Sequence, residues 1–142
     1  MPWHETLIRV RFNEVDPWGV VWYANYFIYV EAARCEILER FDLLPDALWS
    51  HGYTAPVIRL SADFKAPARF NDRLTVRMAI RPQETAKLVF AFQIVHHERG
   101  HLIMQGETEQ VLLNHRGSMI YRLTGELADK VQAMSDSLSR HS

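Results

Sequence analysis

One long segment with helical spacing, followed by four stretches that alternate with period two, constrains this 142-residue chain more than any other feature. From Tyr23, apolar residues recur at Tyr26, Phe27, Val30, Ala33, Ile37, Leu38 and Phe41, while Glu36, Glu39 and Arg40 fall on the opposite side. That spacing predicts a helix of about five turns, ended by Asp42-Leu43-Leu44-Pro45. A short helical turn is expected over 46–51, closed by Gly52. The alternating stretches run over 55–65, 72–81, 87–97 and 102–113. Their apolar faces carry Ile58, Leu60, Ala62 and Phe64; then Leu74, Val76, Met78 and Ile80; then Leu88, Phe90, Phe92 and Ile94. Residues 6–12 form a strand candidate ahead of the helix, with Ile8, Val10 and Phe12 on one face, and 123–138 a closing helix. Short polar turns between the later strands predict antiparallel neighbours. The order β-α-β-β-β-β does not alternate as a doubly wound parallel sheet does. It predicts an α+β single domain over residues 1–142, an antiparallel sheet wrapped around one long central helix.

A chain of this length needs neither disulfide nor metal to hold a core, and 48% apolar residues argue against disorder. The net charge of -1 gives no overall pull towards nucleic acid or an anionic membrane. Cys35 is the only cysteine, so no internal disulfide can form. With no signal-peptide pattern at the start and no apolar run near the ~20 residues that span a bilayer, the expectation is a cytoplasmic protein with neither membrane nor nucleic-acid partners.

The chemistry concentrates in 11–34. Asp16 precedes a Gly-containing loop, with Trp18, Val20, Val21 and Trp22 as apolar bulk around it, and the loop feeds the start of the long helix. The first amides of a helix lack intrahelical acceptors and sit at the positive end of the macrodipole. Such an amide stabilises an oxyanion growing on a carbonyl, and a carboxylate beside it can attack that carbonyl or activate a water. The same residues also fit a plain helix start, with Asp16 as N-cap and Pro17 as first helical residue, and caps far outnumber catalytic carboxylates.

Asp16-Pro17-Trp18-Gly19-Val20-Val21-Trp22-Tyr23-Ala24-Asn25-Tyr26 closely resembles the active-site signature of the 4-hydroxybenzoyl-CoA thioesterases and related short-chain acyl-CoA thioesterases. The resemblance continues through Glu31-Ala32-Ala33-Arg34, similar to a Glu-x-x-Arg in the bacterial acyl-CoA thioesterase branch. It also extends to 64–74, similar to an aromatic-x-x-Pro-x-x-x-x-Asp-x-Leu segment of the family. It implies the hotdog fold, a homo-oligomer built as a dimer or a dimer of dimers (a homotetramer), and hydrolysis of an acyl- or aroyl-CoA thioester without a cofactor or metal. Carried over residue by residue, it implies Asp16 as nucleophile or general base and the Tyr23 backbone amide as the group polarising the carbonyl. Gly19 would admit close approach of the substrate, with Val20, Trp22 and Asn25 as further substrate contacts. Lys65 and Arg69, with Arg73, are candidates for coenzyme A phosphates; the alternative is a solvated basic loop. One departure is Val15, where many members carry Thr or Cys before the Asp.

Glu31 and Arg34 stand three apart and can pair on the helix, as a structural or interface ion pair or near the acyl pocket. Trp18, Trp22, Tyr26 and Tyr29 fit either a pocket lining or packing, Trp22 and Tyr26 being four apart on one face. Cys35 falls mid-helix, which suits a packed or interface thiol better than a catalytic one. His97-Glu98-Arg99-Gly100-His101 matches the zinc-protease pattern, but that chemistry needs a helix and the flanks here predict a hairpin turn. There is no phosphate loop and no G-x-S-x-G, and the His-x-x-x-Phe-Pro type motif of hotdog dehydratases is missing. Two other readings remain: release of an acyl group from an acyl carrier protein, and an acyl-CoA-binding protein without turnover.

Overall fold

The alternation downstream of the long helix becomes an antiparallel sheet. In the computed structural model, which describes residues 3–139, the order is β1 (His4–Arg9), a 3-10 turn (Phe12–Glu14), α1 (Tyr23–Arg40), α2 (Pro45–Ser50), β2 (Tyr53–Thr54), β3 (Val57–Phe64), β4 (Arg73–Arg81), β5 (Lys87–His96), β6 (Leu102–Asn114), β7 (Met119–Ile120) and α3 (Gly125–Leu138). β1, β4, β5 and β6 lie side by side, and β3 joins the far side of β6, with the two-residue strands β2 and β7 also on β6. This is the expected hotdog arrangement. Leu74, Val76, Met78 and Ile80 of β4 are at most 3% exposed, as are Leu88, Phe90, Phe92 and Ile94 of β5. They form one core with Tyr26, Val30, Ala33 and Ile37 of α1. The helix packs chiefly on β1 and β4, and α3 closes over β4.

Four details differ from the sequence reading. The first strand ends at Arg9 and Phe12 belongs to the 3-10 turn, because the chain must lift off the sheet to reach α1; Val10 is buried but Phe12 is exposed. β3 is not the hairpin partner of β4. Lys65 and Ala66 donate their amides to Ile103 O on β6, whereas Val10 donates to Asp72 O on the β1 side, so 65–72 crosses the whole end of the sheet. Within α1, Tyr23 is exposed, while Tyr29 and Arg34, a charged residue, are buried. Cys35 is exposed rather than packed within the chain.

The crossing places the site. It brings 65–72 against the segment leading into α1: Val21 donates to Ala68 O at 2.8 Å, and Val20 and Arg69 form a lone antiparallel bridge. Both segments meet at the N-terminal end of α1.

Candidate active site

Asp16 begins a tight loop. Its amide donates to Val20 O at 2.8 Å, and Gly19 donates to Asp16 O at 2.9 Å. The side chain closes the loop on itself, Oδ1 accepting from Trp18 N at 2.9 Å and from Val20 N at 3.4 Å. This is an Asx-type turn, not a cap on α1, which starts seven residues later at Tyr23. Among the described residues Oδ2 has no hydrogen-bond partner, so one oxygen of a half-buried carboxylate is held by backbone amides and the other is left open. Gly19 has φ +80°, the left-handed region that glycine adopts without strain, and a Cβ there would meet nothing within 4 Å. The backbone of the loop is therefore bare towards solvent.

Helix α1 begins without a side-chain cap. Trp22, at the N-cap, donates its amide to Glu14 O at 3.0 Å, and Asn25 donates to Trp22 O. Tyr23 and Ala24 are left as the first amides with no acceptor among the described residues, which is where helix geometry leaves its orphan donors. Eighteen residues of aligned peptide dipoles stand behind them. An open carboxylate oxygen and two unbonded amides thus share one short segment.

Below the loop, three side chains pin it. Asn25 Nδ2 donates to Glu14 O at 2.9 Å, so this amide ties the 3-10 turn to the first turn of the helix. Tyr29 donates its hydroxyl proton to Glu14 Oε1 at 3.0 Å. Burial first, then the Glu14 carboxylate, holds that hydroxyl in its neutral form well above the usual tyrosine range. Tyr26 accepts from Ala68 N at 3.1 Å, so Ala68 is bound through its amide to Tyr26 and through its carbonyl to Val21. Burial raises the Tyr26 pKa; the Ala68 amide opposes this, and the charges of Asp72 and Asp16 add to it. Glu14, Tyr29 and Ala68 carry no motif that would reveal these roles in the sequence.

Other predicted residues separate into groups. Val20 is half-buried and engaged through its backbone, whereas Trp22 is 53% and Trp18 82% exposed. Trp22 is the N-cap of α1 and is exposed, whereas Tyr26, four residues on, is buried. Phe64 of β3 gathers Tyr23, Tyr26 and Phe27 around it at ring distances of 6.3, 5.8 and 6.2 Å. This aromatic wall adjoins the start of α1. Lys65 and Arg69 are exposed and, among the described residues, without a carboxylate partner, but Arg73 is bound by Glu98. Arg34 donates to Glu31 Oε1 and Thr108 Oγ1, both at 2.5 Å, and leaves Nε buried without a partner. Buried Arg34 therefore joins α1 to β6 through Thr108, while its partner Glu31 stays exposed. The pattern 97–101 is the β5–β6 turn, and among the described residues no group of His, Cys, Asp and Glu has metal-binding geometry. No helix among them is long and apolar enough to cross a membrane. A cleft of about 530 Å³ lies at the other end of α1 between Leu38, Leu48, Trp49, Tyr53 and Gln110.

The family follows from comparison with known proteins. Residues 10–140 match the model of the thioesterase-like superfamily. The chain is 32% identical over 91 residues to the acyl-CoA thioester hydrolase YbgC of Escherichia coli, covering 64% of this chain and 68% of that protein. Among solved structures it is similar to Slr0204, a 1,4-dihydroxy-2-naphthoyl-CoA thioesterase from Synechocystis, with TM-score 0.84 and 20% identity over 98% of this chain and 99% of the other; this supports the fold. A probable thioesterase from Bartonella henselae aligns with TM-score 0.75 and 25% identity, over 85% of this chain and 99% of its own. With the family model spanning nearly the whole sequence, the chain belongs to the thioesterase-like superfamily.

Proposed function

We propose that the protein hydrolyses an acyl- or aroyl-CoA thioester to the free acid and coenzyme A, with Asp16 and the Tyr23 amide as its reacting groups. The observation that carries the mechanism is the open Asp16 oxygen set on the same segment as the unbonded first amides of α1. The thioester carbonyl accepts a hydrogen bond from Tyr23 N–H, and negative charge growing on its oxygen is stabilised there by the helix end. Asp16 then acts in one of two ways. As nucleophile it adds to the carbonyl carbon and expels the thiolate, leaving an anhydride that water cleaves; as general base it takes a proton from the water that adds directly. In either route the thiolate leaves with the bonding electron pair, and acid and thiol are the products. Thiolates are good leaving groups, so no metal is required.

In this reading Gly19 keeps the loop clear for substrate, and Val20 and Trp22 border the reacting carbonyl. Asn25 acts by fixing the helix start through Glu14, and Lys65 and Arg69 face coenzyme A phosphates. The protein works as a homo-oligomer in the cytoplasm. Support for the oligomer comes from β3, an edge strand with apolar Ile58, Leu60 and Phe64 about half exposed, a surface that a second copy would cover.

The test is thiol release from a panel of short, long and aromatic acyl-CoAs, beside the same acyl groups on an acyl carrier protein. Turnover of a CoA ester is expected. Turnover of carrier-protein esters alone would replace the substrate, and binding of CoA esters without turnover would remove the hydrolytic reading.

A further inference from the structure

The dipeptide Arg-Phe occurs three times, at 11–12, 40–41 and 69–70, and the fold brings the first and the last together. The rings of Phe12 and Phe70 meet edge to face, centroids 5.6 Å apart and planes at 89°. The segments beneath them are stitched by backbone: Val10 donates to Asp72 O at 2.9 Å and Asn71 donates to Val10 O at 3.0 Å. Arg9 ties them again by donating to Asn71 Oδ1 at 2.9 Å. The platform is therefore built on fixed backbone. Yet Phe12 is 77% and Phe70 51% exposed, a large apolar surface to leave in water. An arginine precedes each ring in the chain: Arg11 and Arg69 are both exposed, and among the described residues neither has a carboxylate partner. The acids of these segments are held by backbone: Asp72 Oδ2 accepts from the Arg69 amide and Glu14 Oε1 from the Arg11 amide.

Two rings at right angles make a corner. A flat heterocycle stacked on one ring meets the edge of the other, an arrangement aromatic groups favour. Exposed arginines one residue before each ring suit phosphate oxygens, which arginine binds in bidentate fashion. Phe12 is four residues from Asp16, so the chain places it within about 14 Å of the carboxylate. The corner is thus within reach of a long carrier arm whose thioester lies at Asp16. An acyl group alone has no use for such a feature; a nucleotide does.

We propose that the Phe12–Phe70 corner, with Arg11 and Arg69, seats the adenosine 3′,5′-bisphosphate end of coenzyme A. This rests on the thioesterase reading and names the part of the substrate that distinguishes a CoA ester from other thioesters. The first experiment measures binding of adenosine 3′,5′-bisphosphate by calorimetry to wild type, Phe12→Ala/Phe70→Ala and Arg69→Met. It needs no turnover, so it stands if the catalytic reading falls. Binding by wild type that weakens about tenfold in the Phe double variant is expected from the worth of base–aromatic stacking, with loss also in Arg69→Met. No binding by wild type, or equal binding by all three proteins, overturns the proposal. The second experiment compares kcat/KM for an acyl-CoA with that for the N-acetylcysteamine thioester of the same acid. The preference for the CoA ester is expected to fall about tenfold in the Phe double variant. A preference that stays at the wild-type value, or a loss confined to carrier-protein thioesters, overturns it.

Discussion

β3 and β4 carry the same alternating pattern and end in opposite environments. In β4, Leu74, Val76 and Met78 are wholly buried; in β3, Ile58, Leu60 and Phe64 are 54%, 48% and 49% exposed. The difference is not in the residues but in what lies above them. Helix α1 packs towards β1 and β4 and reaches β3 mainly at Phe64, so one half of the inner sheet face is covered by this chain and the other is left to something else. Period-two alternation reports which side of a strand is apolar. It does not report whether the same chain supplies the cover.

The comparison can be broken in order of expected effect. On the covered side, Phe92→Ala removes a ring that is 1% exposed and is expected to cost about 3–5 kcal/mol, read by chemical denaturation. A cost below about 1 kcal/mol would mean the β5 face is not the core described here.

Gly106→Ala tests how β3 is attached. A Cβ at Gly106 would lie 2.0 Å from Ser61 O and 2.8 Å from Phe92 Cζ. The substitution must push β3 away from β6, and about 3 kcal/mol of destabilisation is expected. Hydrogen exchange is expected to rise most over 57–64; exchange rising equally across the sheet would contradict the local account.

On the uncovered side, Ile58→Asp/Leu60→Asp places charges where the single chain already meets water, so the fold is expected to survive. If a second copy covers this face, sedimentation shows the wild-type oligomer and a smaller species for the variant. A wild type that sediments as a monomer at micromolar concentration contradicts the assignment of β3 to an interface.

The smallest effect belongs to the buried Tyr29–Glu14 contact. Tyr29→Phe is expected to cost about 1 kcal/mol at neutral pH. The folded-state pKa of Tyr29 is raised above the 10.0 of a free tyrosine, so its contribution is complete below pH 10 and is lost as pH rises beyond it. Wild-type protein should therefore lose its advantage over the variant in alkaline melts. A gap that stays constant beyond pH 10 would remove the contact from the account.

Much of this was legible in the sequence, for identifiable reasons. The long helix and the strands β4 to β6 announce themselves because each buries one face within the chain, and burial is what imposes periodicity. The Asp16 segment is visible because several fixed residues coincide at fixed spacing. What stayed hidden depends on long-range meetings. Nothing local says that 65–72 crosses the sheet end to clamp Val20 and Val21, that Asn25 and Tyr29 converge on Glu14, or that Phe12 finds Phe70. The three-residue spacing gives the Glu31–Arg34 ion pair, but the buried end of Arg34 is met by Thr108 from β6, 74 residues away.

The central claim is that Asp16 performs the chemistry rather than merely closing its loop. Asp16→Asn tests it directly, because an amide oxygen still accepts from Trp18 N and so preserves the turn while removing the charge. Thiol release from the preferred acyl-CoA should fall by about 10²–10⁴-fold, with thermal stability and substrate binding close to wild type. Equal rates in the two proteins would contradict the account and leave Asp16 as a loop-closing residue alone.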